Sequence, residues 1–285
     1  MRIRIWLCYL YQLIIFLAPA ACLRQYDDPL RVAYIHDVSG KGEVWTMSLE
    51  GGEAKAITSG SLTGYSNPVW SPDGTRMVFS TSSGIPTIFS ADVESGAIGI
   101  VTLGGYPTWS PDGKRLVFVR NTCIYSADSE TGGNELQLTS PTSPYEDSYP
   151  ACSPDGKKIV FIRGDGGSFA IYSINAPDGG NESLLNNSGI ADDSCPTYSP
   201  DGRLILYVHS SGSIYVMNAD GSNQRLLTAN AHYPAWTPDG SQVLFSSNAT
   251  GFWELCIMNS DGVNRRQLTS EMNYNRNPSV QGKPR

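Results

Sequence analysis

The sequence predicts an all-β protein: a six-bladed propeller of four-stranded antiparallel blades, its ring closed by a C-terminal strand that completes the N-terminal blade. Three observations carry that prediction. A phrase of the form "YPTWSPDGKRLVF" (residues 106–118) recurs along the chain, its first proline standing at Pro68, Pro107, Pro150, Pro196, Pro234 and Pro278. The copies are 38 to 46 residues apart, the period of a four-stranded blade. The two ends are complementary fragments of one further copy: residues 31–58 supply a second, third and fourth strand without a first, and 277–280 ("NPSV") begin the phrase and stop. Five complete repeats and one divided repeat make six blades, and a ring closed in this way leaves no unpaired strand edge.

Within each copy the elements follow one order. A short first strand runs from the proline to an aromatic residue at Trp70, Trp109, Tyr198 and Trp236. Ser-Pro-Asp-Gly or Thr-Pro-Asp-Gly then turns the chain: proline presets φ, aspartate accepts nearby backbone hydrogens, and glycine takes the positive φ that closes the turn. An apolar second strand such as "RLVFV" follows, then a Gly/Ser-rich turn and a third strand ("AIYSIN", "SIYVMN", "ELCIMN"). The fourth strand ends in Leu-Thr ("ELQLT", "QRLLT", "RRQLT"). Turns every 8 to 12 residues leave no room for substantial helices. The 29 glycines and 18 prolines suit that many turns, and 40% hydrophobic residues over 285 positions suffice for a real core.

The propeller is expected over residues 31–282, behind a leader (1–21) and a short linker (22–30). Arg2 and Arg4 precede an apolar run from Ile5 to Ala18 broken only by Gln12, the pattern of a secretory signal peptide and too short to span a bilayer. Cleavage could follow Ala18-Pro19-Ala20. Alternatively Cys22, preceded by Ala20-Ala21, is a candidate lipid acceptor, which would be the chain's one link to a membrane. The expected location is therefore the bacterial periplasm or cell envelope, or the medium. A net charge of −7 with no basic run argues against nucleic acid, whose phosphates need clustered Lys and Arg. Cys123, Cys152, Cys195 and Cys256 lie in strand-like repeats without C-x-x-C spacing; Cys152 and Cys195 are the pair that could form a disulfide.

The phrase "P-x-W-S-P-D-G-x-x-h-h-F", where h is apolar, with "I-Y-x-M-N-x-D-G-x-x-x-x-x-L-T", resembles the TolB-type propeller repeat over residues 31–282. The resemblance implies the fold. It is weakly specific for function, because such repeats serve docking proteins, peptidase accessory domains and other secreted proteins. Relatives of the Tol system carry an α/β domain before the propeller, and only about eight residues separate Cys22 from Arg31. Peptidases with this propeller carry a hydrolase domain after it, and this sequence stops at Arg285.

Candidate chemistry is sparse. No H-E-x-x-H, G-x-S-x-G, P-loop or EF-hand pattern is present, and each Asp-Gly turn offers one carboxylate, too few oxygens for calcium. No cofactor, metal site or catalytic residue is expected. His36 and His209 share one repeat position, the end of the second strand, in blades separated by a third; Arg120 and Arg163 hold it elsewhere. "YEDSYP" and "ADDSCP" align Glu146 with Asp192 and Asp147 with Asp193 in adjacent blades, near one mouth of the central channel. Antiparallel pairing brings Arg163 to Asp147 and His209 to Asp193. Three readings stay open: intrablade ion pairs that tie loops down, an acidic mouth that captures a cation or a basic peptide group, and a His209–Asp193 acid/base pair. His232 and Arg276 occupy equivalent loop positions, as do Tyr65 and Asn275. Tyr106, Tyr149 and Tyr233, each directly before its proline, read equally as contact residues or as part of the repeat.

The expected function is a non-enzymatic scaffold that binds a protein or peptide, with or without basic groups, at the mouth bearing Glu146, Asp147, Arg163, Asp192, Asp193, His209, His232 and Arg276. A monomer is expected of a ring that closes on itself. The alternatives are a propeller enzyme, either a hydrolase or a lyase acting on carbohydrate or peptide, and an accessory subunit of a separate peptidase.

Overall fold

The computed structural model describes residues 30–38, 40–60, 64–186, 194–209, 212–270 and 274–282. The leader, Cys22 and the linker up to residue 29 lie outside the described residues, as do Asp192 and Asp193. Among the described residues every regular element is a strand.

Blade 1 holds β1 (Arg31–Val38), β2 (Lys41–Ser48) and β3 (Lys55–Ala56). Blade 2 is β4 (Tyr65–Trp70), β5 (Arg76–Thr81), β6 (Thr87–Asp92) and β7 (Ile98–Leu103). Blade 3 is β8 (Gly105–Trp109), β9 (Arg115–Arg120), β10 (Cys123–Asp128) and β11 (Leu136–Gln137). Blade 4 is β12 (Glu146–Cys152), β13 (Lys158–Gly164), β14 (Phe169–Asn175) and β15 (Ser183–Asn186). Blade 5 is β16 (Ser194–Tyr198), β17 (Leu204–His209), β18 (Ser213–Asn218) and β19 (Arg225–Ala229). Blade 6 is β20 (His232–Trp236), β21 (Gln242–Ser247), β22 (Glu254–Asn259) and β23 (Arg266–Gln267). The last strand, β24 (Tyr274–Val280), pairs antiparallel with β1, so blade 1 has the order β24-β1-β2-β3 and the ring is closed by the two ends of the chain.

The turn chemistry read from the sequence is present at atomic detail. In all five complete copies the Asp Oδ1 accepts the Ser or Thr hydroxyl at 2.6 Å, which commits that oxygen to its own turn. Two backbone bonds close the turn in blade 2, from Gly74 N–H to the Ser71 carbonyl and from Ser71 N–H to the Arg76 carbonyl, both at 2.9 Å, and the other complete copies repeat them. In the divided copy the second of these bonds runs from Gln281 N–H to the Arg31 carbonyl at 2.8 Å. Gln281 thus stands where Ser71 stands and Arg31 where Arg76 stands, without the Pro-Asp-Gly-Thr that links them in the complete copies.

The core is not one interior but six layers, each between two blades. Val78 and Ile88 of blade 2 pack with Trp109, Leu116 and Phe118 of blade 3, for example, and Leu206 and Val208 of blade 5 with Val243 and Phe245 of blade 6. The aromatic that ends the repeated phrase is buried in every complete copy: Phe79, Phe118, Phe161, Tyr207 and Phe245. Because each apolar face is covered by a neighbour, stability is a property of the closed ring rather than of any blade.

Every first strand carries the same irregularity. In β4 the register with β5 skips from Ser66 to Val69, so the Asn67-Pro68 step bulges out, and the other copies repeat it. A bulge is where a strand tolerates a residue without an N–H donor. The residue before each proline has a left-handed backbone, φ 49° to 54° at Asn67, Tyr106, Tyr149, Cys195, Tyr233 and Asn277. Asparagine accepts that conformation readily; tyrosine and cysteine do so at a cost of about 1 kcal/mol or more each.

Candidate functional site: the channel and its mouth

The six bulges converge. Their X-Pro steps line a central cavity of about 190 Å3, with Tyr106, Tyr149, Cys195 and Tyr233 on one arc and Asn67 and Asn277 on the other. No Asp or Glu side chain is among the lining residues. The Tyr106 and Tyr149 rings sit 4.4 Å apart at 50°. Burial raises the hydroxyl pKa of Tyr149 and Tyr233 and pushes the Cys195 thiol up to about 12. The channel wall is therefore neutral, aromatic and hydroxyl-bearing near pH 7.

At the mouth the sequence-predicted residues fall into two groups. In blade 4, Asp147 pairs in register with Arg163. Its buried carboxylate (1% exposed) accepts Nε at 2.6 Å and Nη2 at 3.0 Å, while Arg163 Nη1 reaches Glu182 at 2.7 Å. Burial works against the guanidinium's charge, but these bonds and charges outweigh it and raise its pKa. Asp147 N–H also binds the Thr122 carbonyl at 2.9 Å, tying blade 4 to the β9–β10 turn of blade 3. Asp147 is thus occupied within its own blade, as the ion-pair reading expects, whereas neighbouring Glu146 is exposed. Arg120, one blade earlier, instead takes Glu135 at 2.9 and 2.5 Å.

The second group joins blades 6 and 1. Arg276 lies against the Tyr233 hydroxyl and holds Asp37 at 3.6 Å, and its Nε is buried without an acceptor. His232 packs edge-on against Trp253 at 4.9 Å, and burial lowers its pKa. A depressed imidazole pKa favours the fold above the unfolded value of about 6.5 and loses that contribution as pH falls below it. Wild-type protein is therefore expected to lose thermal stability relative to His232→Gln when melts at pH 7.5 and pH 5.5 are compared; parallel profiles would disprove it. His209 stands 5.0 Å from the Tyr215 ring, and its expected partner Asp193 lies outside the described residues.

Sequence reasoning missed a buried polar chain at the seam. Asn275 fills in blade 1 the place that Asp147 fills in blade 4, and its Oδ1 takes His36 Nδ1 at 2.8 Å. Its Nδ2 lies 3.4 Å from Glu254, a buried carboxylate that also accepts the Thr269 hydroxyl. Glu43, in the equivalent place one blade on, accepts Thr58 Oγ1 at 2.5 Å. The available signal was that only these two copies carry an acidic residue at this position of the third strand, in "EVWTM" and "ELCIM", where the others have Thr87, Cys123, Ala170 and Ser213. The disulfide open to Cys152 and Cys195 is not formed: both are free, because one lies two residues after its proline, between blades 3 and 4, and the other directly before it, in the channel. Among the described residues no three His, Cys, Asp or Glu side chains converge as a metal site would require.

No curated protein matches the chain in sequence. Among solved structures, TolB from Acinetobacter baumannii superposes with a TM-score of 0.77 at 26% identity, covering 89% of this chain and 67% of that one. The putative TolB from Agrobacterium tumefaciens gives 0.65 at 21% over 88% and 92%. An oligogalacturonate lyase in complex with manganese gives 0.57 at 18% over 86% and 73%, a likeness of fold alone. The family model described as the TolB beta propeller domain matches residues 26–189 and 103–232, a stretch that contains four of the five complete Pro-Asp-Gly turns, and the chain belongs to that family.

Proposed function

We propose that the protein is an exported, non-enzymatic docking scaffold that receives an extended segment of a partner protein at the mouth bearing Glu146, His232 and Arg276, with Tyr106, Tyr149 and Tyr233 as contact surface. The observation that carries this reading is the tyrosine arc. Three bulky side chains are held in a left-handed backbone around one channel, beside a guanidinium whose Nε lacks an acceptor. Rigid aromatics and Arg in a concave, partly dry setting are the usual anchors of protein interfaces. Membership of the TolB propeller family supports a protein partner. A partner carbonyl or carboxylate suits Arg276, and exposed Glu146 suits a basic group of the same segment. Asp147 and Arg163 hold the rim in shape. Burial keeps the Tyr149 and Tyr233 hydroxyls and the Cys195 thiol neutral, which suits contact rather than nucleophilic work.

The test exploits the repeat. Asparagine already fills the position before the proline in two blades, so Tyr106→Asn with Tyr233→Asn keeps a residue suited to that backbone. In affinity capture from envelope extracts, the wild type is expected to retain a partner that the double variant loses about tenfold or more, with circular dichroism unchanged. Equal capture by the two proteins would overturn the proposal.

A further inference from the structure

The residue two places after each proline normally seals the joint with the preceding blade. Trp109 shows how. Its indole is 5% exposed among Val78, Ile88 and Leu116, its Nε1 donates to the Val69 carbonyl at 3.2 Å, and the Arg76 guanidinium lies 5.3 Å over its ring. Trp70, Tyr198 and Trp236 occupy the same place in blades 2, 5 and 6, whereas blade 1 has Val280, packed into its own layer, and blade 4 has the smaller Cys152.

The joint between blades 3 and 4 shows the consequence. Arg115 stands where Arg76 stands, but no ring lies beneath it, and its Nη2 turns to Ser126 Oγ at 2.8 Å and the Asn134 carbonyl at 3.0 Å. Between the blades opens a cleft of about 870 Å3, walled by Arg115, Val117, Cys152, Ile159, Ala176 and Pro177. The equivalent joint of blades 5 and 6, where Trp236 is in place, has about 520 Å3. The larger cleft falls in the size range of ligand sites, and its lining sets the one cation, Arg115, among apolar side chains and the carboxylates of Asp112, Glu135 and Asp155. Burial and the charge of Asp112 push the Cys152 thiol up to about 12, so the floor is neutral. Asp112 and Asp155 supply negative charge at the opening.

We infer that this cleft, at the Pro-Asp-Gly turn end of the blades and independent of the channel mouth, is a socket for a tryptophan side chain of a partner protein, with a neighbouring basic residue of that partner facing Asp112 and Asp155. The occupant is argued from the molecule itself. An indole beneath an arginine is what the same joint holds one blade earlier, and a guanidinium over a ring is favourable in a partly desolvated site.

The experiment titrates the full chain with N-acetyl-tryptophanamide, the probe for the side chain, and with the peptide Lys-Trp-Lys, followed by amide NMR shifts. Expected are saturable shifts confined to the cleft around Ile159 and Ala176, with tighter binding of the peptide. Arg115→Met is expected to weaken both about fivefold through the lost cation–ring contact. Cys152→Trp, which restores the chain's own indole, is expected to abolish binding and raise Tm. Absence of shifts, shifts centred on the channel, equal binding of N-acetyl-leucinamide, or undiminished binding by folded Cys152→Trp would each overturn the inference. If Cys152→Trp does not fold, the Arg115→Met titration and the map of wild-type shifts decide it.

Discussion

Arg163→Met is expected to destabilise the protein by about 3–5 kcal/mol, because it strands a carboxylate that has no access to water. The Asp147 side chain is fully buried and takes two of its hydrogen bonds from that one guanidinium. The guanidinium also lies over Phe161 and Tyr172, at 5.3 and 5.2 Å, so packing is lost along with charge. In a chain of this length the expected fall in Tm is roughly 10 °C. The arrangement makes two further expectations. Arg163→Met combined with Asp147→Leu should recover much of the loss, since removing both partners leaves no orphaned charge. Arg120→Met should cost about 1 kcal/mol or less, because its partner Glu135 is a third exposed and solvent screens the pair. Differential scanning calorimetry on the four proteins checks this. A loss no larger for Arg163→Met than for Arg120→Met would show that the pair does not hold blade 4. The outcome bears on function, because any binding defect of an Asp147 variant must be measured against its effect on the rim.

Several of these features were legible in the sequence for a simple reason: a repeat states its own alignment. The period gave six blades, the half-copies at the ends gave the closing strand, and antiparallel pairing across the Pro-Asp-Gly turn placed Arg163 beside Asp147. What depends on a single departure from the repeat was harder to see. A tyrosine before proline reads as extended backbone, since proline disfavours other conformations in its predecessor. The left-handed bulge at Tyr106, Tyr149 and Tyr233 contradicts that preference, and its one sequence trace is the asparagine at positions 67 and 277. The Glu254–Asn275–His36 chain joins residues up to 239 apart in sequence, beyond the reach of local pattern. Cys152 reads as a small buried residue but is only half-buried, in the wall of a cleft that emerges when it is set against the larger side chains of the other joints. Scaffold was therefore readable from what the copies share, and the sites from where they differ.

Ending the chain after Ser270 is expected to abolish cooperative unfolding rather than merely lower Tm. The deletion removes β24 and with it the first strand of blade 1, leaving the β1 edge open to pair with other chains. It also takes Asn275 from both His36 and Glu254, so a buried imidazole and a buried carboxylate lose a partner at once. Blade 2 is affected too, since Ser279 Oγ accepts from Trp70 N–H at 3.3 Å and Gln281 Nε2 donates to the Gly74 carbonyl at 2.9 Å. With every core layer shared between neighbours, loss at one joint propagates to the next. Gel filtration should find the shortened protein aggregated, and its melt should be broad. The decisive control restores the strand at the other end. Placing residues 274–280 before Arg31 through Ser-Pro-Asp-Gly-Thr recreates the turn of the intact copies, because Gln281 and Arg31 already make the bond that Ser71 and Arg76 make. That permuted chain should regain a single sharp transition near the wild-type Tm. If the shortened chain melts as sharply as the full one, or the permuted chain fails to fold, then the ring is not held shut by β24, and the propeller's stability resides in blades that stand without closure.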